Sequence, residues 1–146
     1  MDTVLLSGFS DEIAPEFDTQ LAAVTEWGLT HIELRAADGV NVSDFGPAKV
    51  KEIKQKLEAA GVAVSSIGSP IGKISITDDF APHLEKLKRT LEIQKELCAP
   101  YLRMFSFYLP QGQDPALYRE EVLDRMGQMV ETARSWDSVL LHENEK

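Results

Sequence analysis

The sequence predicts an α/β fold in which a parallel sheet is covered by helices on its outer side. Two observations predict it. The predicted helices begin at prolines that are 32, 35 and 33 residues apart, and a short apolar segment precedes each helix. The order strand, loop, helix, short return and strand is typical of βαβ units, in which successive strands are parallel. The chain therefore repeats one βα unit roughly every thirty-three residues.

Proline marks the start of each predicted helix. It suits the first helical position because its missing amide hydrogen would be unpaired there and its φ angle is already helical. The first two helices end at Gly28 and Gly61, since glycine readily takes the left-handed backbone of a helix C-terminus, and Pro100 ends the third. Apolar residues three or four positions apart, such as Val50 and Ile53, give each helix one face for packing. The predicted helices are Pro15–Trp27, Pro47–Ala60, Pro82–Cys98 and Pro115–Trp136.

Five short segments rich in aliphatic and aromatic residues are predicted strands. Eight units of about thirty-three residues would give about 260 residues, close to the roughly 250 of a (β/α)8 barrel of TIM type. We therefore expect residues 1–146 to form a single domain, the N-terminal part of a parallel (β/α) barrel, with about four βα units plus a fifth strand. The alternative is an open flavodoxin-like sheet, which would need another helix after the last strand. The predicted strands are Val4–Phe9, His31–Leu34, Val62–Ile67, Tyr101–Phe107 and Val139–His142.

Composition argues against several classes of protein. The 146 residues carry a formal net charge of −9, whereas proteins that bind a nucleic-acid backbone present a basic face. No apolar run approaches the roughly 18 residues of a membrane span, and no basic region precedes the short apolar stretch at 4–6, as a signal peptide would require. Cys98 is the single cysteine, which favours a reducing compartment. We expect a cytoplasmic protein with no nucleic-acid and no membrane partner.

Polar side chains collect where the predicted strands end. In parallel α/β folds the chemistry lies at the carboxyl ends of the strands, because the loops there can vary without disturbing the core. The loops that lead into the strands are plain by comparison. The strand ends carry Ser10, Asp11, Glu12, Glu33, Arg35, Ser65, Ser66, Ser69, Lys73, Arg103, Ser106, Tyr108, His142, Glu143, Asn144 and Glu145.

The alternation of side chains along a strand indicates which of these residues face the barrel interior. Ile32 and Leu34 share one face of the second predicted strand, so Glu33 and Arg35 share the other face. The same alternation directs Arg103 inward. A buried charge is costly without a partner. An ion pair of Glu33 with Arg103 or Arg35 and direct contact of these residues with a substrate therefore both remain open.

A serine- and glycine-rich stretch at 65–73 follows the third predicted strand. Its glycines would allow close backbone approach, and its serines and Lys73 offer donors to an anion such as a sugar phosphate. A flexible loop with one solvated lysine is the alternative. We expect His83 to face solvent and Cys98 to be a buried apolar side chain. Phe105 is expected in the core, whereas Tyr108 could stack on a sugar ring.

Five motifs together resemble the sugar phosphate isomerase/epimerase family, a group of xylose-isomerase-like TIM barrels. The resemblance extends along essentially the whole chain, and the serine–glycine loop and the final motif are its more specific parts. The motifs are SDEI at 10–13, GLTHIELR at 28–35, VSSIGSPIGK at 64–73, YLRMFSFY at 101–108 and LLHENEK at 140–146.

The resemblance implies a divalent metal (Mn, Mg, Co or Zn) in the barrel mouth and a sugar or sugar phosphate as the substrate. Glu143 matches the glutamate of the fifth strand, which in the family binds the metal and moves a proton beside the substrate carbonyl. Such a site lowers the cost of an enediolate. His142, of opposite strand parity, is expected to point away from the metal, toward the helix layer or a neighbouring loop. The predicted substrate-binding residues are Glu33, Arg35, Ser66, Lys73, Arg103 and Tyr108.

The family's other metal ligands come from later strands of the barrel. We therefore expect residues 1–146 to be inactive alone, as a truncated barrel. A non-catalytic half barrel that forms a homodimer through its exposed strand edges is the alternative from another class. An enzyme that acts on abasic DNA resembles the same barrel, but its sites use several histidines and this chain has three. That function is the least favoured of the three.

Overall fold

The computed structural model describes residues 4–145, which form a parallel sheet with a helix after each of its first three strands. The sheet order is β1-β4-β5-β6, and every neighbouring pair is parallel. A separate two-stranded antiparallel pair, β2 and β3, lies between β1 and α2 in the chain. The strands are β1 His31–Leu34, β2 Ala36–Ala37, β3 Val40–Asn41, β4 Ala63–Ile67, β5 Tyr101–Met104 and β6 Val139–His142, and the helices are α1 Phe17–Glu26, α2 Pro47–Ala60, α3 Ala81–Glu96 and α4 Arg119–Arg134.

The core lies between the outer face of the sheet and the helices. Alternate residues of β1, Ile32 and Leu34, are almost completely buried, while Glu33 between them is only partly buried. The helices turn their apolar stripes toward the same layer, as Ile53 of α2 and Leu87 of α3 show. Each face of β1 therefore has the character that its alternating sequence predicts. The four-stranded parallel sheet with outer helices confirms the predicted fold class.

The predicted helix starts differ from the observed starts by up to four residues. Proline opens α2 at Pro47 as predicted, and Pro82 lies in the first turn of α3. Pro115 instead begins a short 3-10 turn, and α4 follows from Arg119. Helix α1 begins at Phe17, whose amide donates a 2.9 Å hydrogen bond to the Asp38 carboxylate. The first amide of α1 is thereby capped from the β2–β3 turn.

The predicted first strand, Val4–Phe9, is not a strand in the described structure. Phe9 makes one bridge to Glu33, and the Gly8 carbonyl accepts a hydrogen bond from the Glu33 amide. Val4 and Leu6 are 84% and 68% exposed. The apolar composition predicted a strand, but strand formation depends on burial of one face, and no described residue covers this segment.

The β2–β3 pair was not predicted, although the sequence carried its signal. Asp38 and Gly39 both have positive φ angles, 53° and 75°, which is the backbone of the tight turn that joins two antiparallel strands. An Asp-Gly pair is typical of that turn. The Asp38 carboxylate also pairs with Lys49 at the start of α2. This turn therefore ties α1, β1 and α2 together beneath the carboxyl end of the sheet.

The serine–glycine stretch is a packed segment and not a flexible loop. Ser69 and Ile71 are completely buried. A Cβ atom on Gly72 would lie 2.0 Å from the carbonyl oxygen of Phe105, and Gly72 has a φ of +90°. Close backbone approach, one of the two interpretations of the sequence, therefore holds at this position.

Replacement of Gly72 by alanine tests this contact. We expect Gly72→Ala to lower the free energy of unfolding by at least about 2 kcal/mol, because the methyl group overlaps backbone that cannot move aside and the φ angle is strained. Urea unfolding followed by circular dichroism measures the change.

The matched control for this substitution is Gly127→Ala. Gly127 lies on an exposed face of α4, and nothing lies within 4 Å of a Cβ placed there. We expect this alanine to stabilise the helix by about 0.5–1 kcal/mol. Equal effects at Gly72 and Gly127 would contradict the close approach.

Two single-residue predictions in this region are wrong. His83 is buried, and its Nε2 accepts a 2.7 Å hydrogen bond from the Gly72 amide, because the segment after β4 folds back over the start of α3. Cys98 is exposed and has a φ of +54°, because it forms the left-handed turn after α3. Its position at the end of an apolar stripe suggested burial, but the helix ends before the stripe reaches it.

Acid should weaken the fold through His83. Burial, together with the positive charges of Lys86 and Arg125, holds the pKa of His83 below its ordinary 6.5. As the pH falls, His83 is therefore protonated in the unfolded chain before it is protonated in the folded protein. The contribution of neutral His83 to the free energy of unfolding is complete above about pH 6.5 and is lost as the pH falls through the lowered pKa. Wild-type protein should lose more unfolding free energy between about pH 7.5 and 5.5 than His83→Gln, which keeps an acceptor but does not titrate in this range. Parallel pH profiles of the two proteins would contradict the assignment.

Within residues 4–145, no helix combines the length and the apolar character needed to cross a membrane.

Candidate functional site

The polar residues at the carboxyl ends of the strands border one concavity on the inner face of the sheet. It has a volume of about 380 Å³. All four strands of the sheet contribute, because parallel strands bring their carboxyl ends to the same edge. The predicted residues Glu33, Ser66, Arg103 and Glu143 therefore lie around one space. The lining residues are Ser7, Glu33, Ser65, Ser66, Tyr101, Arg103, Leu141, His142 and Glu143.

A bulge in β4 brings two consecutive serines to this concavity. The pairing of β1 with β4 runs from Ile32–Val64 to Glu33–Ser66, so Ser65 is an extra residue. The Ser65 hydroxyl donates to the Ile32 carbonyl at 3.0 Å and lies 2.6 Å from the Ser7 hydroxyl. Simple alternation would have placed Ser65 and Ser66 on opposite faces. Ser65 was therefore named at the strand end but not among the predicted substrate-binding residues, and Ser7 was missed.

Two aromatic rings, those of Phe9 and Phe105, hold Arg103 in the concavity. Its guanidinium carbon lies 5.0 Å from the ring centre of Phe9 and 4.9 Å from that of Phe105. Its Nη2 donates to the Ser69 carbonyl at 3.4 Å. Cation–π contacts with desolvated rings stabilise a guanidinium and restrict its orientation. The Arg103 side chain is only 13% exposed.

The other two cations of the rim, Lys73 and Arg35, also contact aromatic rings. Lys73 Nζ lies 4.2 Å from the ring centre of Phe105, and Arg35 lies 4.6 Å from that of Phe9. We call the sequence Arg35, Phe9, Arg103, Phe105 and Lys73 the cation–aromatic row. It places all three predicted cations on one rim.

Glu143 approaches Arg103 directly. Its Oε2 lies 3.3 Å from Arg103 Nη1. The Glu143 amide donates to the Met104 carbonyl at 2.9 Å, so the pairing of β5 with β6 continues to this residue. The Glu143 side chain remains 50% exposed. A carboxylate beside a guanidinium in a concave space can remove a proton from a bound molecule while the cation stabilises the negative charge that forms.

The two ion pairs considered for Glu33 are absent among the described residues. Arg35 turns away from Glu33 and binds Asp11 at 2.8 Å and Glu12 at 3.2 Å, and the hydrogen bond that Arg35 donates to the Asp11 carboxylate raises the pKa of Arg35. Arg103 pairs with Glu143 instead. The two acidic residues of the SDEI motif therefore neutralise Arg35. The Glu33 carboxylate remains available to a molecule bound in the concavity.

Two buried polar atoms at the site have no hydrogen-bond partner among the described residues. They are the hydroxyl oxygen of Ser66, a residue that is 6% exposed, and Nε of Arg103. A buried polar group without a partner costs about 1–3 kcal/mol. Such groups in a cleft are suited to binding a polar ligand.

Lys73 and Tyr108 lie at a second part of the rim, around Glu145. Lys73 Nζ contacts the Glu145 carboxylate at 2.8 Å, and the Tyr108 hydroxyl donates to it at 3.2 Å. The hydrogen bond from Lys73 lowers the pKa of Glu145. Lys73 is therefore paired with a carboxylate, which differs from the solvated lysine considered from sequence.

The expected orientation of His142, toward the helix layer or a neighbouring loop, stays a prediction. His142 is exposed and borders the concavity next to Glu143. Leu140 is the residue of β6 that packs against the core.

The described residues do not by themselves fit a divalent metal site. Divalent metals require several oxygen or nitrogen ligands, and residues 4–145 contain no group of three His, Cys, Asp or Glu side chains placed to hold one. Glu143 offers a single carboxylate, and Arg103 already contacts it.

A larger cavity lies elsewhere, at the C-terminal ends of α3 and α4, with a volume of about 580 Å³. Its buried polar residue, Gln94, donates to the Ala99 carbonyl and accepts from Ser138. Because these groups are satisfied within the protein, this cavity offers a ligand less than the concavity at the strand ends. Cys98 and Trp136 are also among its lining residues.

Comparison with solved structures shows that this chain shares its fold with several barrel proteins. A xylose isomerase-like TIM barrel protein from Mycobacterium smegmatis, in complex with magnesium, has a TM-score of 0.73 and 19% identity, over 97% of this chain and 55% of that one. A 3-keto-D-glucoside 4-epimerase from E. coli has a TM-score of 0.68 and 17% identity, over 95% and 56%. D-psicose 3-epimerase in the presence of D-fructose has a TM-score of 0.67 and 18% identity, over 92% and 50%.

The chain spans about half the length of these structures. Identities below 20% show a shared fold. A search of curated proteins found no match. The family model for the xylose isomerase-like TIM barrel matches residues 21–146, which include β1, α4 and the strand end at Glu143. The resemblance found in the sequence is confirmed, and the chain belongs to the xylose isomerase-like TIM barrel family.

Proposed function

We propose that this chain forms the N-terminal half of a sugar or sugar-phosphate isomerase/epimerase site. The observation that carries the proposal is the pair of Glu143 and Arg103 at 3.3 Å, on a concavity lined with hydroxyl groups. Membership in the family and the epimerases among its structural neighbours support it. A cytoplasmic location and the lack of a nucleic-acid partner belong to the same proposal.

The proposed chemistry is a proton transfer beside the carbonyl of an open-chain sugar. Glu143 removes the proton from the carbon next to the carbonyl, and the electron pair of the broken C–H bond forms an enediolate. The Arg103 guanidinium stabilises the developing oxyanion, while Ser66 donates to a sugar hydroxyl group. A proton returned to the opposite face of the same carbon, by a second acid outside residues 4–145, gives an epimer. Delivery of the proton by Glu143 to the former carbonyl carbon, with transfer of the neighbouring hydroxyl proton to the former carbonyl oxygen, gives an isomer.

We further propose that the whole protein uses a divalent metal, with Glu143 as one ligand. A magnesium complex among the structural neighbours supports this. The remaining ligands would have to come from outside residues 4–145. We accordingly propose that residues 1–146 bind a sugar but do not turn it over, because half of the wall that would exclude water is missing.

Sugar binding tests the proposal directly. In a 15N NMR titration with D-fructose, the amide signals of Ser66, Arg103 and Glu143 should shift together, with a dissociation constant in the millimolar range. We expect Arg103→Gln to weaken binding by about tenfold, because a hydrogen bond from a charged donor contributes about 1.5–3 kcal/mol.

The control is Arg134→Gln, because Arg134 is 71% exposed on α4 and pairs only with Glu131 among the described residues. Equal weakening by the two variants, or shifts that avoid the strand ends, would contradict the proposed site. Turnover of D-fructose or D-psicose by the purified chain, with added Mn²⁺, would contradict the proposed inactivity.

Self-association is a second candidate function. The inner face and the last strand leave Tyr101, Val139 and Leu141 exposed by 43%, 51% and 42%, and α4 exposes Leu123 and Val130. Strand β6 is also a terminal strand of the sheet. Unpaired strand edges beside apolar side chains readily pair with another copy. A function on abasic DNA remains the least favoured, because the described residues hold no cluster of metal ligands.

Analytical ultracentrifugation distinguishes a monomer from a homodimer. A homodimer should sediment as one species at about 100 μM and dissociate on dilution. Leu141→Lys should shift the equilibrium to monomer, whereas Leu117→Lys, which changes an already exposed leucine in the turn before α4, should not. A monomer at every concentration would remove this candidate.

A further inference from the structure

A second concavity lies on the rim beyond the end of β5, with a volume of about 530 Å³. It is separate from the concavity at Arg103 and Glu143, since the two share no lining residue. Its walls come from the segment after β5, from the serine–glycine stretch and from the segment after β6. The lining residues are Gly72, Phe105, Ser106, Phe107, Tyr108, Leu109, Gln111 and Glu145.

The wall formed by the segment after β5 is fixed by backbone hydrogen bonds. The Phe105 amide donates to the Ile71 carbonyl at 2.8 Å, and the Phe107 amide donates to the Gly72 carbonyl at 2.9 Å. The Tyr108 amide then donates a hydrogen bond to the Ile74 carbonyl, and the Tyr108 carbonyl accepts one from the Ile76 amide. We call these four bonds the loop ladder. A site held by such a ladder needs little ordering when a ligand binds.

Tyr108 offers the open aromatic surface of this concavity. It is 48% exposed, and no described aromatic ring or cation lies over its ring. The ring of Phe105, in contrast, is contacted by Lys73 and Arg103, and Phe107 packs edge-on against Phe80. An amphipathic ring that is flat, exposed and fixed at its backbone is suited to stacking on another ring.

Glu145 supplies the polar side of the same concavity. Its carboxylate accepts from Lys73 and Tyr108 and is still 42% exposed. A carboxylate has about four acceptor positions, so acceptor capacity remains for the hydroxyl groups of a ligand. An aromatic ring beside a hydroxyl acceptor matches the two surfaces of a sugar ring, which are its C–H face and its hydroxyl edge.

The two concavities are placed to hold one ligand. Glu143 borders the first and Glu145 borders the second, with one residue between them. Two residues of chain span at most about 7 Å. On the neighbouring segment, Arg103 borders the first concavity and Phe105 borders the second, again with one residue between them.

We propose that the concavity at Tyr108 and Glu145 binds a second ring attached to the reacting sugar, so that the substrates are glycosylated sugars. This inference rests on the proposed function, because it assumes that the reacting sugar occupies the concavity at Glu143. Tyr108 stacks on the attached ring, and Glu145 accepts from its hydroxyl groups.

The test compares two probes, D-fructose and maltulose, which carries a glucosyl unit on a fructose that can still open to the ketone. In 15N NMR titrations, we expect maltulose to bind at least about fivefold more tightly than D-fructose, and only maltulose to shift the signals of Tyr108 and Gln111. Tyr108→Ala should reduce this affinity ratio to about one, while Tyr118→Ala, at a tyrosine outside both concavities, should leave the ratio unchanged. Since the loop ladder uses only the backbone of Tyr108, Tyr108→Leu replaces Tyr108→Ala should the alanine variant unfold.

The outcomes separate the two proposals. If neither sugar binds at the strand ends, the proposed function fails and this inference fails with it. If D-fructose binds near Glu143 but maltulose binds no more tightly, or if Tyr108→Ala keeps the affinity ratio, the second ring site is overturned while the proposed function stands.

Discussion

The contact of Gly72 with the Phe105 carbonyl is the constraint on which the rim of this half barrel depends. Because no side chain separates the two backbones at that point, the segment after β4 and the segment after β5 can form the loop ladder. The ladder fixes Phe105, whose ring lies against both Arg103 and Lys73. Arg103 in turn faces Glu143. One missing Cβ therefore positions the charged groups of the candidate site.

The charges at the rim are arranged in pairs and do not form a single-sign field. Each of the three cations contacts a carboxylate on a segment other than its own: Arg35 contacts Asp11, Lys73 contacts Glu145 and Arg103 contacts Glu143. Partly exposed pairs of this kind contribute little to stability, about 0–1 kcal/mol each. Their effect is orientation, because the aromatic rings and the carboxylates together restrict each long cationic side chain. Glu33, which pairs with no cation among residues 4–145, and the Ser66 hydroxyl, which has no hydrogen-bond partner there, then remain for a polar ligand.

The sequence predicted those parts of the fold that follow from local patterns. Proline and glycine positions located the helices to within a few residues, and the alternation in β1 correctly assigned the buried Ile32 and Leu34. Two of the errors arose where distant segments meet. The bulge at Ser65 depends on pairing with β1, and the burial of His83 depends on a chain reversal eleven residues earlier. Neither leaves a periodic signal in one sequence, and the ion pairing of Arg103 with Glu143 leaves none either.

The central claim is that a sugar binds at the strand ends, between Arg103 and Glu143. Intermolecular nuclear Overhauser effects between D-fructose and 13C-labelled protein test it most directly, because they report which side chains lie within about 5 Å of the sugar. Contacts with the side chains of Ser66, Arg103 and Glu143 are the predicted result. Contacts with Trp136 and Cys98, in the larger cavity between the helix ends, would contradict it.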